Sequence, residues 1–227
     1  RVSRGLGDVY KRQTLTGYQV IKFNIDDKAY ESASVSYNSL PIMRYAEVLL
    51  NYAEAKAELG EFSDDIWNKT IKPLRERAGV DGKRPTSADP YLQQYYGLSD
   101  SDLLEIRRER AIELLLEGFR YNDLMRWHAG ELLNKQWYGI YIPAMDTSYD
   151  LNGDGINDVC VISGEAGNEP GVTYIVLDDS KYSLENGTTG RLLYTVGRNF
   201  EEKRYLRPIP KTALNINPDL GQNYYWR

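Results

Sequence analysis

The sequence predicts a mainly α fold of helical hairpins, interrupted by long loops and a few short β-strands. Two observations predict the helices. Apolar residues recur at helical spacing between Pro41 and Gly60, and again over a longer, highly charged run from Ser99 to Trp127. A third predicts the rest: from about Lys135 onward that period gives way to short β-type runs between Gly-, Asn- and Asp-rich turns. The 227 residues are chain enough for one large domain or two small ones with a real core. Apolar residues at 41% against 27% charged argue against wholesale disorder.

Residues 1–13 (RVSRGLGDVYKRQ) carry four cations and one anion, a local charge of +3 that leaves −8 on the rest. They read as a translated adapter or assembly junction, or as a natural basic tail, and are set aside as a non-native or disordered leader. No charged-then-apolar leader is visible, and the first Met is Met43. Residues 14–40 alternate around Tyr18, Val20, Ile21 and Phe23 before turning Ser- and Asp-rich, which predicts a short strand and a loop.

The next stretch is helical. Ile42, Ala46, Leu49, Ala53 and Ala57 step by 4, 3, 4 and 4 along one face, with Glu47, Asn51, Glu54 and Glu58 on another. Pro41 suits the first turn and Gly60 the position past the end. A second helix is expected from about Asp64 to Ala78, stopped by Gly79 and bent at Pro73. The pair makes a hairpin about the size of one 34-residue tetratricopeptide unit, which cannot bury its own face without neighbours.

Residues 80–98 read as a Pro/Gly/Tyr-rich connection, followed by Ser99 and Asp102 at capping-box spacing. Ile112, Leu114, Leu115, Leu116 and Phe119 surround the end of the helix that follows, so that end is expected to be buried. Glu109, Glu113 and Glu117 form a like-charge row that needs cations. Arg107, Arg108, Arg110 and Arg120 are the expected partners in an inward ion-pair network. Gly118 separates a shorter helix holding Asp123 to Trp127. Strands are expected at Val159–Ile162, Thr173–Leu177 and Leu192–Val196, ahead of an aromatic, Pro-rich tail.

Composition excludes several functions. The net charge of −5 opposes phosphate-backbone binding, so nucleic acid is not an expected partner. One His and one Cys cannot build His/Cys metal clusters or an intramolecular disulfide. His128, next to Trp127, reads as a helix-end cap or packing residue, and Cys160 as a small packed residue. No GxSxG, P-loop or other nucleophile motif occurs. Tyr outnumbers Phe by 19 to 4, so most rings carry a polar handle suited both to wedging between helices and to binding faces.

One motif carries metal chemistry. Asp150-Leu151-Asn152-Gly153-Asp154-Gly155-Ile156-Asn157-Asp158 places oxygen donors at positions 1, 3, 5 and 9, with Gly at position 6. The expected ligands of a structural Ca²⁺ are Asp150, Asn152, Asp154, the Ile156 carbonyl and Asp158. Position 12 is Val161 where an EF-hand has Glu, so the loop resembles those of extracellular β-rich modules. A solvated Asx turn is the alternative.

Three stretches together resemble the C-terminal half of the SusD/RagB family. They are Pro41–Leu50 running on to Ala53-Glu54-Ala55, then Glu109–Leu114 with Glu117-Gly118-Phe119-Arg120 and Asp123–Trp127, and lastly Tyr205–Pro210 with Asn217-Pro218 and Gln222-Asn223. The resemblance makes residues 14–227 a C-terminal SusD/RagB-like domain of a longer protein. It implies an α-α superhelix of tetratricopeptide-like hairpins. It also implies a non-catalytic lipoprotein of the Bacteroidetes outer membrane, outward-facing, starch-binding-like in its use of sugars, and held by a lipid anchor that this sequence lacks. The implied partners are a glycan or oligosaccharide and a SusC-like TonB-dependent transporter. Trp137, Tyr138 and Tyr141 cluster after the last clear helix and are the expected glycan-stacking residues. The alternatives are a docking module for the transporter without a sugar site of its own, or a glycoside hydrolase, which would need a carboxylate pair across a cleft.

Overall fold

The computed structural model describes residues 22, 23, 27, 37, 39, 41–177, 181–194 and 197–226. Residues 1–13 and most of the strand expected within 14–40 lie outside them; Lys22 and Phe23 form a turn. The structure is helix-rich with a few short strands, and it divides into a helical unit (Pro41–Leu133 with Phe200–Arg227) and a β-rich unit (Asn134–Asn199).

In the helical unit, α1 spans Tyr45–Glu58, α2 Asp64–Lys69 and α3 Ile71–Arg77; α4 spans Pro90–Tyr96, α5 Ser101–Glu113, α6 Phe119–Arg126 and α7 Lys211–Ile216. Helix α1 begins four residues later than Pro41 would place it. Arg44 is held extended at the N-cap, where its guanidinium reaches Glu113 and Glu117, so residues 41–44 stay outside the helix. The far end is as expected: Gly60 is left-handed, and the N–H groups of Gly60 and Glu61 bond back to Ala57 and Lys56, closing the helix with a glycine cap.

The expected second helix is broken in two. Pro73 has no N–H, and its ring would meet the carbonyl of Lys69, where α2 ends. Thr70 fills the break, its hydroxyl donating to the Ile66 carbonyl at 2.6 Å. Both pieces still pack against α1, which completes the hairpin. Ala46, Leu50 and Ala53 of α1, Trp67 of α2, Ile71 and Leu74 of α3, and Ile106 of α5 share one core with Leu114.

Two further expectations change. Asp100, not Ser99, caps α5, accepting from the Leu103 N–H at 2.9 Å, while Asp102 turns to Arg84. Leu114 is buried, but Ile112, Leu115 and Leu116 are exposed, because α5 stops at Glu113 and the chain unwinds through a turn to left-handed Gly118.

The β-rich unit holds two three-stranded sheets, with β1 Tyr138–Ile142, β2 Ser148–Tyr149, β3 Val159–Ile162, β4 Thr173–Val176, β5 Tyr182–Leu184 and β6 Gly190–Tyr194. One sheet runs β1-β6-β5, all antiparallel. The other runs β2-β3-β4, with β3 and β4 parallel. Every residue of β3 is buried, Cys160 included, as its unbroken apolar run predicts. Val159, Val161 and Ile175 share a core with Ile142, Leu184 and Leu192.

Candidate functional site

Strand β1 is what brings two of the three expected stacking residues together. In a regular strand Tyr138 and Tyr141 would point to opposite faces, because side chains alternate with period two. Here Tyr138 pairs with Leu193 and Tyr141 with Arg191, so three steps on β1 oppose two on β6. That bulge turns both rings to one face, while Ile142 points inward. Tyr138 is 45% exposed and Tyr141 64%. Among the described residues no ring or cation covers Tyr141.

The other two rings are partly claimed by cations. The Arg191 guanidinium lies 3.8 Å from the Tyr138 ring centroid, and Arg198 lies 3.3 Å from that of Trp137. Trp137 sits one residue ahead of β1 and remains 60% exposed. Arg191 is fixed by Glu185 through bonds of 2.7 and 3.1 Å, which hold that carboxylate below its usual range. Neither arginine was legible as part of the site, since only the β1-β6 register brings Arg191 to Tyr138. The resulting face offers flat apolar rings edged by charged donors and acceptors, a surface that can stack on and hydrogen-bond a polyhydroxylated ligand.

The Asp150–Asp158 loop is tightly wound on its own backbone. Asp150 accepts from the N–H groups of Gly155, Gly153 and Asn152 at 2.8, 2.6 and 3.1 Å, and these bonds hold its carboxyl below the usual range. Asn152 accepts from the Asp154 N–H, and Asp154 from that of Ile156. Gly153 and Gly155 are left-handed, as such a winding demands. Asp158 is buried and accepts from the Leu151 N–H at 2.9 Å, whereas the Ile156 side chain is exposed. The donor set is chemically suited to a hard cation. Yet the bonded oxygens point at backbone N–H groups, and among the described residues no three His, Cys, Asp or Glu side chains gather as a metal cluster.

The Glu109, Glu113 and Glu117 carboxylates of the helical unit are occupied structurally. Glu109 meets Arg75, Glu113 meets Arg44 and Arg77, and Glu117 meets Arg44. The network is inward, as expected, but its partners come from α3 and the N-cap of α1, because the arginines of α5 and α6 turn elsewhere. Arg108 binds Asp89 and Glu105, Arg120 the Tyr96 hydroxyl, and Arg110 Asp123 and Asn51. Arg107 lies over Trp127 and Tyr96. A polar pocket of about 360 Å³ is lined by Asn51, Glu54, Ala55, Glu58, Arg110 and Arg126. His128 is left-handed and closes α6, its ring stacked 4.0 Å from that of Tyr205.

The residues that carry the family resemblance are thus those that tie the helical unit together. The tail follows suit: the Tyr205 hydroxyl accepts from Gly130 N–H at 2.7 Å, and the Gln222 amide brackets Ile209 through bonds of 2.7 and 3.0 Å. Compared with known proteins, residues 3–226 match the SusD family. The chain belongs to the SusD family. A SusD-like protein of Formosa agariphila is 33% identical over 97 residues, which is 42% of this chain and 18% of that protein. A crystal structure of a SusD-like protein from Bacteroides fragilis aligns with TM-score 0.46 and 23% identity, covering 81% of this chain and 25% of that one. The matched parts of the chain therefore cover about a fifth to a quarter of the length of these two relatives. Among the described residues of this SusD-family chain, no helix is long and apolar enough to cross a membrane.

Proposed function

We propose that this SusD-family chain is a non-catalytic glycan-binding part of a nutrient-uptake protein at the bacterial outer surface, passing oligosaccharide to a SusC-like TonB-dependent transporter. In this reading a lipid anchor outside this sequence holds the protein to the outer membrane, and the helical hairpin is one turn of a tetratricopeptide-like superhelix. The observation that carries the reading is the shared outward face of Tyr138 and Tyr141. A sugar ring stacks on Tyr141, and Arg191 and Glu185 contact its hydroxyls. Titration of an oligosaccharide panel tests it: Tyr141→Ala weakens binding about tenfold, as loss of an aromatic anchor does.

A second reading is a transporter-docking module without its own sugar site. It is favoured by the two guanidiniums that already lie on Tyr138 and Trp137. Unchanged glycan affinity in the Tyr141→Ala protein supports this second reading over the first.

Calcium belongs to the same proposal as a structural ion. The support is the 1, 3, 5, 9 oxygen spacing and the left-handed glycines that let the loop wrap a small sphere. Asp150, Asn152, Asp154, the Ile156 carbonyl and Asp158 would hold the ion, which would pin the loop ahead of β3.

A further inference from the structure

Several arginines of this chain hold a carboxylate by one edge. Nε and Nη2 share an edge of the planar guanidinium that matches the two oxygens of a carboxylate. Arg44 grips Glu117 this way, Arg84 grips Asp102, Arg110 grips Asp123 and Arg191 grips Glu185, through bonds of 2.6–3.1 Å.

Arg198 departs from this pattern. Its guanidinium lies 3.3 Å from the centroid of the exposed Trp137 ring. Nη1 is shut off from water with no acceptor, and among the described residues Nε and Nη2 meet no carboxylate or carbonyl. A half-buried cation without a partner is costly until an anion answers it.

The surroundings do not supply that anion. Residues 134–199 carry nine Asp and Glu against four Lys and Arg, yet none of the described carboxylates bonds Arg198. Arg191 and Arg198 are the two arginines of this stretch, and they lie on the consecutive rings of Tyr138 and Trp137. Arg191 is committed to Glu185, whereas the matching edge of Arg198 is left for a ligand. A neutral sugar offers hydroxyl oxygens but leaves that charge uncompensated.

We propose that the glycan bound at this face is acidic, a uronate or sulfated oligosaccharide whose charged group sits on the Nε/Nη2 edge of Arg198 beside Trp137. The inference rests on the glycan-binding reading and narrows it to a substrate class.

The test is calorimetry on the 227-residue chain with two ligand pairs. One is an oligogalacturonate and its methyl ester, the other a sulfated oligogalactan and its unsulfated counterpart. The charged member of one pair is expected to bind saturably and at least tenfold tighter than the uncharged member, and the pair that responds identifies carboxylate or sulfate as the group. Raising NaCl from about 50 to about 500 mM weakens the charged ligand several-fold and spares the uncharged one. Arg198→Gln abolishes the preference, while Arg198→Lys, which keeps the charge but not the fork, retains part of it. The comparison within each pair needs no variant, so it holds even if Arg198→Gln fails to fold. Equal affinity within both pairs overturns the inference, as does a charge preference that survives in folded Arg198→Gln. Should none of the four bind while a neutral glycan of a wider panel does, the inference fails alone. Should nothing in that panel bind, the glycan reading fails with it.

Discussion

Arg110 and Asp123 face each other in the helical unit through two hydrogen bonds of 3.0 Å each, both side chains almost wholly buried. The Glu54 carboxylate approaches the same guanidinium at 3.4 Å and takes both Nη atoms of Arg126 at 2.5 Å. Helices α1, α5 and α6 are thereby joined by charge rather than by apolar contact alone. Removing Asp123 leaves the buried Arg110 guanidinium with the Asn51 amide and only the longer 3.4 Å approach of Glu54. Asp123→Ala is therefore expected to cost about 3–5 kcal/mol, read as a lower urea midpoint with an unchanged slope.

This network separates what the sequence encodes locally from what only packing brings together. Helix ends were legible because they are local: Gly60 and Gly79 sit within two residues of the caps they form. The ion-pair partners were not, since Arg44 and Glu113 stand 69 residues apart and only the packing of α1 on α5 joins them. The break at Thr70 was half legible, as Pro73 announces strain but not which residue absorbs it. At the site the aromatic cluster could be read. The bulge that aligns Tyr138 with Tyr141, and the arginine opposite, depends on strand register, which no local pattern encodes.

Gly130 makes a second packing prediction. A methyl group there would collide with the Phe200 ring, which also meets Tyr205 edge-on at 4.9 Å. Gly130→Ala is expected to destabilise by about 1–3 kcal/mol. Phe200→Leu should recover part of the loss in the double variant, measured by thermal melting.

Acid should loosen the β-rich unit through Asp150 and Glu169. Backbone N–H groups hold Asp150 low, and Asn157 and Ser148 hold Glu169 low. A depressed carboxylate contributes fully above its ordinary value, about 4, and its contribution is lost as pH falls through the depressed one. Melting temperature between pH 2 and 6 should fall more steeply in the native protein than in Asp150→Asn. Parallel curves would show that the loop contributes nothing.

The same loop makes the calcium reading testable. Chelation is expected to lower the melting temperature, added Ca²⁺ to restore it, and Asp154→Ala to remove the difference. A melting curve indifferent to chelator and to Ca²⁺ would leave the loop as a self-satisfied Asx turn.

The central claim rests on the outward face of β1, and calorimetric titration of an oligosaccharide panel into the native chain and the Tyr138→Ala/Tyr141→Ala double variant tests it most directly. Saturable binding of at least one glycan is expected without release of reducing ends, weakened about tenfold or more in the variant. Equal affinity in the two proteins, or turnover of the glycan, would contradict it.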